Sequence, residues 1–500
     1  MERTINALVK SKSSGSIIRL SGTNVLFTVA LADTSPSSRK NDMTEIITSI
    51  NPATNEYLGE VPVSTPQDIQ DAVQSARTAQ PAWQAMGLEK RVVFLRKLLE
   101  QIKNNRKTLS EISSREMGRP ITSCEALMNV SIDRFAWNLD HAAECLKSEI
   151  TYEDETTINE VVYEPRGVVA SIMAWNFPIG NFVFNVSQAL IAGNTVVAKY
   201  SEEIPLFSKH LDEICKGANL PEGVLSFVYG DGKVGSLLTD QDIDMICFTG
   251  SSQTGQLLHE KAARKGIHIL MELGGSSPGI VFADANLDKI LPTIFALRYG
   301  NSGQVCSAIK RLIVHSSLFE TCLSRLAKIA AGWKLGDPLS SDVAMGPLVA
   351  ERQVTRLETQ VKDAVAKGAK IICGGKRPEG LHGAYYEPTI LTGITKDMLV
   401  WTEEVFGPVL PIITFETYEE AIAMANDTVY GLSGYVFTED KALALRATSE
   451  IKAGCVRANN VDYFKIPSPF GGYKRSGIGR ENGRWGFHDV CQVKVIAREK

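Results

Sequence analysis

Five hundred residues, 44% of them hydrophobic and 22% charged, are enough for two or three cores of ordinary domain size, about 100–200 residues each. With 53 basic against 57 acidic residues and no basic stripe, the electrostatic footprint of a nucleic-acid binder is absent, and the longest apolar runs, Ile267–Leu273 and Val168–Trp175, fall well short of the roughly 20 residues a bilayer needs. Forty glycines with only 7% aromatics point instead to a loop-rich α/β enzyme.

Residues 1–42 are Ser-rich and carry Lys10, Lys12, Arg19, Arg39 and Lys40, few acids and one short apolar stretch, Val25–Ala32. The expectation is a disordered extension or mis-assigned start rather than a targeting segment, because the positive charges lie far from the apolar stretch. Thr65-Pro66-x-Asp68 sets an N-cap, a Pro at N1 and an acid at N3 before Ile69, Ala72, Val73 and Ala76, which predicts a core-facing helix. A longer helix is expected over Arg91–Met117, stopped by Gly118 and Pro120. Glu149–Glu164 alternates with period two and reads as a protruding hairpin, to be paired with an apolar strand at Val493–Ala497 as a subunit contact.

From about residue 160, short β-branched runs (Val168–Ala174, Thr195–Ala198, Val224–Val228, Met245–Phe248, Ile267–Met271, Gly279–Phe282) alternate with helical patterns such as Ser201–Gly217 and Gln253–Lys265. That alternation predicts βαβ units and a buried parallel sheet. A second α/β block follows, with helices near Leu318–Ala331 and Glu351–Lys367 and strands near Lys370–Cys373 and Val409–Phe415.

The nine cysteines are odd in number, far apart and free of any C-x-x-C pair, which favours free thiols in a reducing, cytoplasmic compartment. Seven scattered histidines at no ligand spacing give no support for a metal. Two motif matches read as decoys. Gly230–Gly235 fits G-x-G-x-x-G, but the acids beside it precede a strand instead of ending one, so an ordinary strand-to-helix turn is the better reading. Gly275–Gly279 fits G-x-S-x-G, but the residue after Ser277 is Pro278, which has no N–H to offer an oxyanion.

The loop Gly300–Ala308 follows the helical stretch Ile290–Leu297 and delivers one cysteine, Cys306. A thiol on a glycine loop at a helix start can have its pKa lowered and attack as thiolate; the alternative is a structural thiol. Its company along the chain favours chemistry: Trp175-Asn176-Phe177-Pro178, Phe248-Thr249-Gly250-Ser251 with Gly255, Glu272-Leu273-Gly274-Gly275 and Glu404-x-Phe406-Gly407-Pro408 each end or follow a predicted strand. The carboxyl ends of strands in an open α/β sheet form the ligand crevice.

Together with Pro469–Lys474 and Ser476-Gly477, these segments resemble the NAD(P)-dependent aldehyde dehydrogenase superfamily, in order and spacing, from about Thr48 to Lys494. The resemblance implies two open twisted parallel-sheet α/β domains plus a β-hairpin oligomerisation element: 43–147 and 167–273 for NAD binding, 274–485 for catalysis, and 148–166 with 486–500 for assembly into a homodimer or homotetramer. Carried over by motif, Cys306 resembles the nucleophile, Asn176 an oxyanion donor and Glu272 the base that activates the hydrolytic water. Trp175, Lys199, Glu202, Gly250, Ser251, Gly274, Glu404 and Phe406 would hold the cofactor, and an acid at Glu202 argues for NAD over the alternative, NADP. No metal is implied.

Around the cysteine the chain is most similar to the succinate-semialdehyde dehydrogenase branch, which makes succinate semialdehyde the leading substrate. Three departures stand against this: Phe184 where a carboxylate-binding Arg is expected eight residues after Asn176, Gly300 where some members have Arg, and Phe464 where a Ser is expected. Arg298, Lys465 and Arg457 are candidate replacement cations. If none points inward, a pocket lined by Phe177, Phe184, Tyr463 and Phe464 suits a neutral aliphatic or aromatic aldehyde. A CoA-acylating enzyme would not need Glu272, and a silent scaffold protein would not need Cys306.

Overall fold

The computed structural model describes residues 45–500, so the expected extension at 1–42 lies outside the described residues. Thr65 opens the first helix, Pro66–Ala85, as its sequence predicts: its hydroxyl accepts from the Asp68 N–H while the Asp68 carboxylate accepts from the Thr65 N–H. The helix expected over Arg91–Met117 is instead two, Leu88–Asn104 and Arg106–Met117. Asn105 leaves helical backbone at φ −101° and ψ 9°, and its side-chain amide donates to the Gln101 carbonyl in competition with the helix. A 25-residue helix, Ile121–Cys145, which no expectation covers, starts directly after the Gly118–Pro120 stop and buries Cys124, Met128, Phe135, Leu139 and Ala142.

Strands β1 (Ile46–Ile50) and β2 (Tyr57–Pro62) form a small antiparallel ribbon. The hairpin of β3 (Glu149–Glu153) and β4 (Thr157–Pro165) pairs with β18 (Cys491–Glu499) as a three-stranded antiparallel sheet, which leaves Ile150, Tyr152, Val493 and Val495 exposed.

The alternating segments become β5 (Val168–Met173), β6 (Thr195–Tyr200), β7 (Leu225–Phe227), β8 (Met245–Thr249) and β9 (His268–Glu272), all parallel in the order β9-β8-β5-β6-β7. Strands β5 and β6 are buried along their whole length, as a sheet covered on both faces requires. A short β17 (Gly477–Ile478) closes the edge antiparallel to β9, with Gly477 opposite Glu272.

The second sheet has seven strands: β12 (Lys370–Cys373), β13 (Thr389–Thr392), β14 (Val409–Phe415), β11 (Ile309–His315), β10 (Ser277–Val281), β15 (Ser433–Phe437) and β16 (Cys455–Ala458), in that order, parallel except for β12. The carboxyl ends of β5, β8 and β9 carry Trp175-Asn176, Gly250-Ser251 and Glu272 to one end of the first sheet. No helix among the described residues is long and apolar enough to cross a membrane.

Candidate active site

Helix Leu287–Tyr299 ends at Gly300, and the chain then reverses through three consecutive left-handed residues, Asn301 (φ 50°), Ser302 (φ 54°) and Gly303 (φ 74°). For the two non-glycine residues this backbone costs about 1–3 kcal/mol each, strain of the kind that gathers at functional sites. Surrounding bonds hold it: Ser302 Oγ donates to the Gly346 carbonyl at 2.8 Å, and Gln304 donates to the Asn301 carbonyl and accepts from the Val349 N–H at 2.9 Å. Gly303 admits no side chain, because a Cβ there would lie 2.3 Å from the Gly407 carbonyl oxygen. Cys306 is thereby set at the mouth of strand β11, not at a helix start. Burial pushes its thiol up to about 12, against the opposing pull of Lys310, so the expected lowering is corrected: the resting group is the thiol.

Asn176 follows β5, and its Nδ2 donates at 3.2 Å to the carbonyl of Gln304, two residues before the cysteine. Glu272 ends β9, buried, and neither carboxylate oxygen has a hydrogen-bond partner among the described residues. Desolvation, with Glu481 and Asp489 nearby, holds its pKa well above the usual carboxylate range. Sequence reasoning missed Glu481. Its backbone exchanges 2.8 Å hydrogen bonds in both directions with Phe470, which draws this second buried carboxyl into the same cavity, where burial raises it to about 8. Burial thus disfavours the charged form of both carboxyls.

One cavity of about 510 Å³ is lined by Trp175, Asn176, Phe177, Phe184, Glu272, Cys306, Phe464 and Phe470, and reaches Gly250, Ser251, Gly274, Glu404 and Phe406. Trp175 and Phe406 meet edge to face at 5.7 Å. Of the candidate cations only Arg457 lines it; its guanidinium lies 5.0 Å from the Tyr435 ring centroid and 3.9 Å from Asp462. Arg298 is a correction: it is fully buried away from the cavity, and its guanidinium donates to the carbonyls of Ile309, Val405 and Gly407. Lys465 is another, with an exposed side chain 4.0 Å from Asp462 and outside the lining. The cavity instead gains Arg119 and Arg134, neither of which the sequence reading selected.

The residues carried over for a dinucleotide lie in two groups. Gly250, Ser251, Gly274, Glu404 and Phe406 border the cavity, whereas Lys199 and Glu202, 3.6 Å apart at the end of β6, lie outside it. Ser251 caps the 14-residue helix Ser252–Lys265 by accepting from the Thr254 N–H, and Gly250 packs so closely on Phe248 that a Cβ would sit 2.4 Å from its ring. A helix N-terminus with bare backbone before it fits a pyrophosphate.

Glu404 accepts from the Gly275 N–H at 3.0 Å and pairs with Lys310, a fully buried lysine that also donates to the carbonyls of Gly275 (2.7 Å) and Cys306 (2.9 Å). At the first decoy, Asp231 itself caps helix Gly232–Asp240 through the Lys233 N–H. At the second, Ser277 opens strand β10, where a nucleophile elbow would need a helix.

The family model described as aldehyde dehydrogenase family matches residues 39–496. Over 464 residues the chain is 38% identical to aminoaldehyde dehydrogenase 1, peroxisomal, of Pisum sativum, covering 90% of this chain and 92% of that one. It is 34% identical to glutarate-semialdehyde dehydrogenase of Pseudomonas aeruginosa, covering 89% and 92%. Among solved structures, betaine aldehyde dehydrogenase from Staphylococcus aureus in complex with NAD+ superposes with a TM-score of 0.87 at 32% identity, covering 91% of each chain.

Proposed function

The chain belongs to the aldehyde dehydrogenase family, and from that premise we propose that it oxidises a semialdehyde, succinate semialdehyde first among them, to the dicarboxylate with NAD. The observation that carries the reading is the meeting of Cys306, Asn176 and Glu272, brought by three separate segments, in one cavity with guanidinium groups at its walls.

The Cys306 thiol loses its proton to solvent water and the sulfur adds to the aldehyde carbon, whose C=O π electrons pass to the oxygen. The oxyanion so formed takes hydrogen bonds from the Asn176 amide and the Cys306 backbone N–H; a donor of this kind contributes about 10²–10³ in rate. NAD, when bound, supplies the acceptor for the hydride that leaves the former aldehyde carbon. Glu272 then takes a proton from the water that attacks the thioester, which frees the carboxylate and returns the thiol. Gly250 and Ser251 would hold the pyrophosphate, Lys199 and Glu202 the adenine ribose, and Glu404 the nicotinamide ribose. A carboxylate at Glu202 accepts from both ribose hydroxyls and repels a 2′-phosphate, which favours NAD over NADP.

Because burial, with Glu481 nearby, holds the Glu272 carboxyl above the usual carboxylate range, turnover limited by hydrolysis is expected to rise with pH as that carboxyl loses its proton. Glu481→Gln removes an acidic neighbour whose ionisation opposes that of Glu272 and is expected to move the inflection of the pH–rate profile to lower pH; an unmoved inflection would contradict the coupling.

The reading is tested by following NADH or NADPH formation with succinate semialdehyde, glutarate semialdehyde, butanal and benzaldehyde. Preference for a semialdehyde with NAD is expected. Preference for a neutral aldehyde would overturn the substrate, and no oxidation of any would overturn the reaction.

A further inference from the structure

We propose that Arg134 selects the substrate by receiving a carboxylate at the far end of the aldehyde, an assignment that rests on the semialdehyde reading above. Arg134 stands on helix Ile121–Cys145, 2% exposed and lining the cavity that holds Cys306. Among the described residues its guanidinium makes one long hydrogen bond, from Nη2 to the Phe464 carbonyl oxygen at 3.4 Å, and its Nε has no acceptor. Among the described residues no carboxylate lies within salt-bridge distance of it. A buried cation without an anion is costly, and chains nearly always pair it.

The acids nearby do not fill that role. Glu481, the nearest in charge, is buried and not within salt-bridge distance, its carboxyl raised to about 8 by burial against the pull of Arg134, while Asp462 is exposed at the rim, where it accepts from the Phe464 N–H at 2.9 Å. Burial lowers Arg134 itself only to about 10, so it keeps its charge. The other cavity guanidiniums have partners among the described residues: Arg119 with Ser123 Oγ (2.8 Å) and the Asn176 carbonyl, Arg356 with the Glu403 carboxylate (3.6 Å), and Arg457, whose Nε also lacks an acceptor, with the Asp462 carboxylate (3.9 Å).

The surroundings explain the departures noted in the sequence. The central carbon of the guanidinium lies 4.8 Å from the centroid of Phe184 and 4.6 Å from that of Phe464. These two rings stand where an arginine and a serine were expected for carboxylate recognition. The aromatic residues thus do not abolish the anion site; they flank a guanidinium supplied from another helix and leave the edge of its fork for a planar, two-point acceptor. The same helix offers the cavity Ser123, Ala126, Leu127, Val130 and Ser131 beside Arg134, with no acid among them. A substrate ending in an ammonium group would meet a cation there.

The test compares wild type, Arg134→Met and Arg134→Lys for kcat/KM with succinate semialdehyde and with butanal, its uncharged counterpart of equal chain length. It adds calorimetric titration of succinate, the product, into each free protein. Arg134→Met is expected to lower the succinate semialdehyde to butanal ratio by about 100-fold or more and to weaken succinate binding at least about tenfold, with partial recovery in Arg134→Lys. A ratio within about threefold of wild type, or succinate bound equally well by Arg134→Met, would overturn the assignment. If Arg134→Met fails to fold, by its thermal unfolding profile, the charge-preserving Arg134→Lys decides: lost preference supports the fork geometry, and full preference with full succinate affinity overturns it. A wild type that oxidises no aldehyde would overturn the reaction reading, and the succinate titration would then judge Arg134 alone.

Discussion

Cys306→Ala is expected to lower aldehyde-dependent NADH formation by at least about 10⁴-fold while NAD still binds, the scale seen when a covalent nucleophile is removed. The loop that presents the thiol does not depend on the thiol. Its left-handed turn is held by Ser302 and Gln304 through bonds to Gly346, Asn301 and Val349, so the alanine variant keeps the same backbone. The eight other cysteines are not alternatives, since none of them lines the cavity. The measurement is steady-state NADH formation, with NAD binding followed separately by quenching of protein fluorescence. Turnover within about tenfold of wild type would remove Cys306 from the mechanism.

Glu272→Gln is expected to cost about 10²–10⁴ in turnover, the range of a general base, and to change which step is slow. Acylation does not need this carboxyl as a water-activating base, so the variant is expected to give a rapid burst of NADH, approaching one per active site, before a slow steady rate. The substitution is nearly isosteric, and neither oxygen of the carboxyl is hydrogen-bonded, so no network is broken by it. Stopped-flow absorbance shows the burst. A variant that turns over at the wild-type rate would end the base assignment.

The three residues proposed for catalysis were legible because each sits in a short segment whose residue types are tied to a strand end: Asn176 after β5, Glu272 at the end of β9, Cys306 in the loop before β11. The pocket was less so. Arg298 was read as a candidate substrate cation, yet it lies on the face shared by Leu291, Ile294 and Phe295, a helical spacing that already marks it as buried with the core. The helix bearing Arg134 lay behind the Gly118–Pro120 stop. Its signal was present in Cys124, Met128, Ile132, Phe135, Leu139 and Ala142, at steps of three and four. An arginine between such positions reads as a solvated side chain, and only the approach of Phe184 and Phe464 from distant segments makes it a pocket wall. Glu481 and Lys310 were hidden for the same reason. One is drawn in by a bridge to Phe470 across eleven residues, and the other is a lysine inside a strand buried along nearly its whole length.

The central claim is that the substrate's carbonyl carbon becomes a thioester on Cys306 that Glu272 helps to hydrolyse. It is tested most directly by acid-quenching Glu272→Gln within its burst with succinate semialdehyde and NAD, then measuring the mass of the intact chain and of its peptides. The account predicts one added succinyl group per chain, on the peptide that contains Cys306, and none when NAD is omitted. A chain without that added mass during NADH formation, or a succinyl group on another peptide, would contradict it.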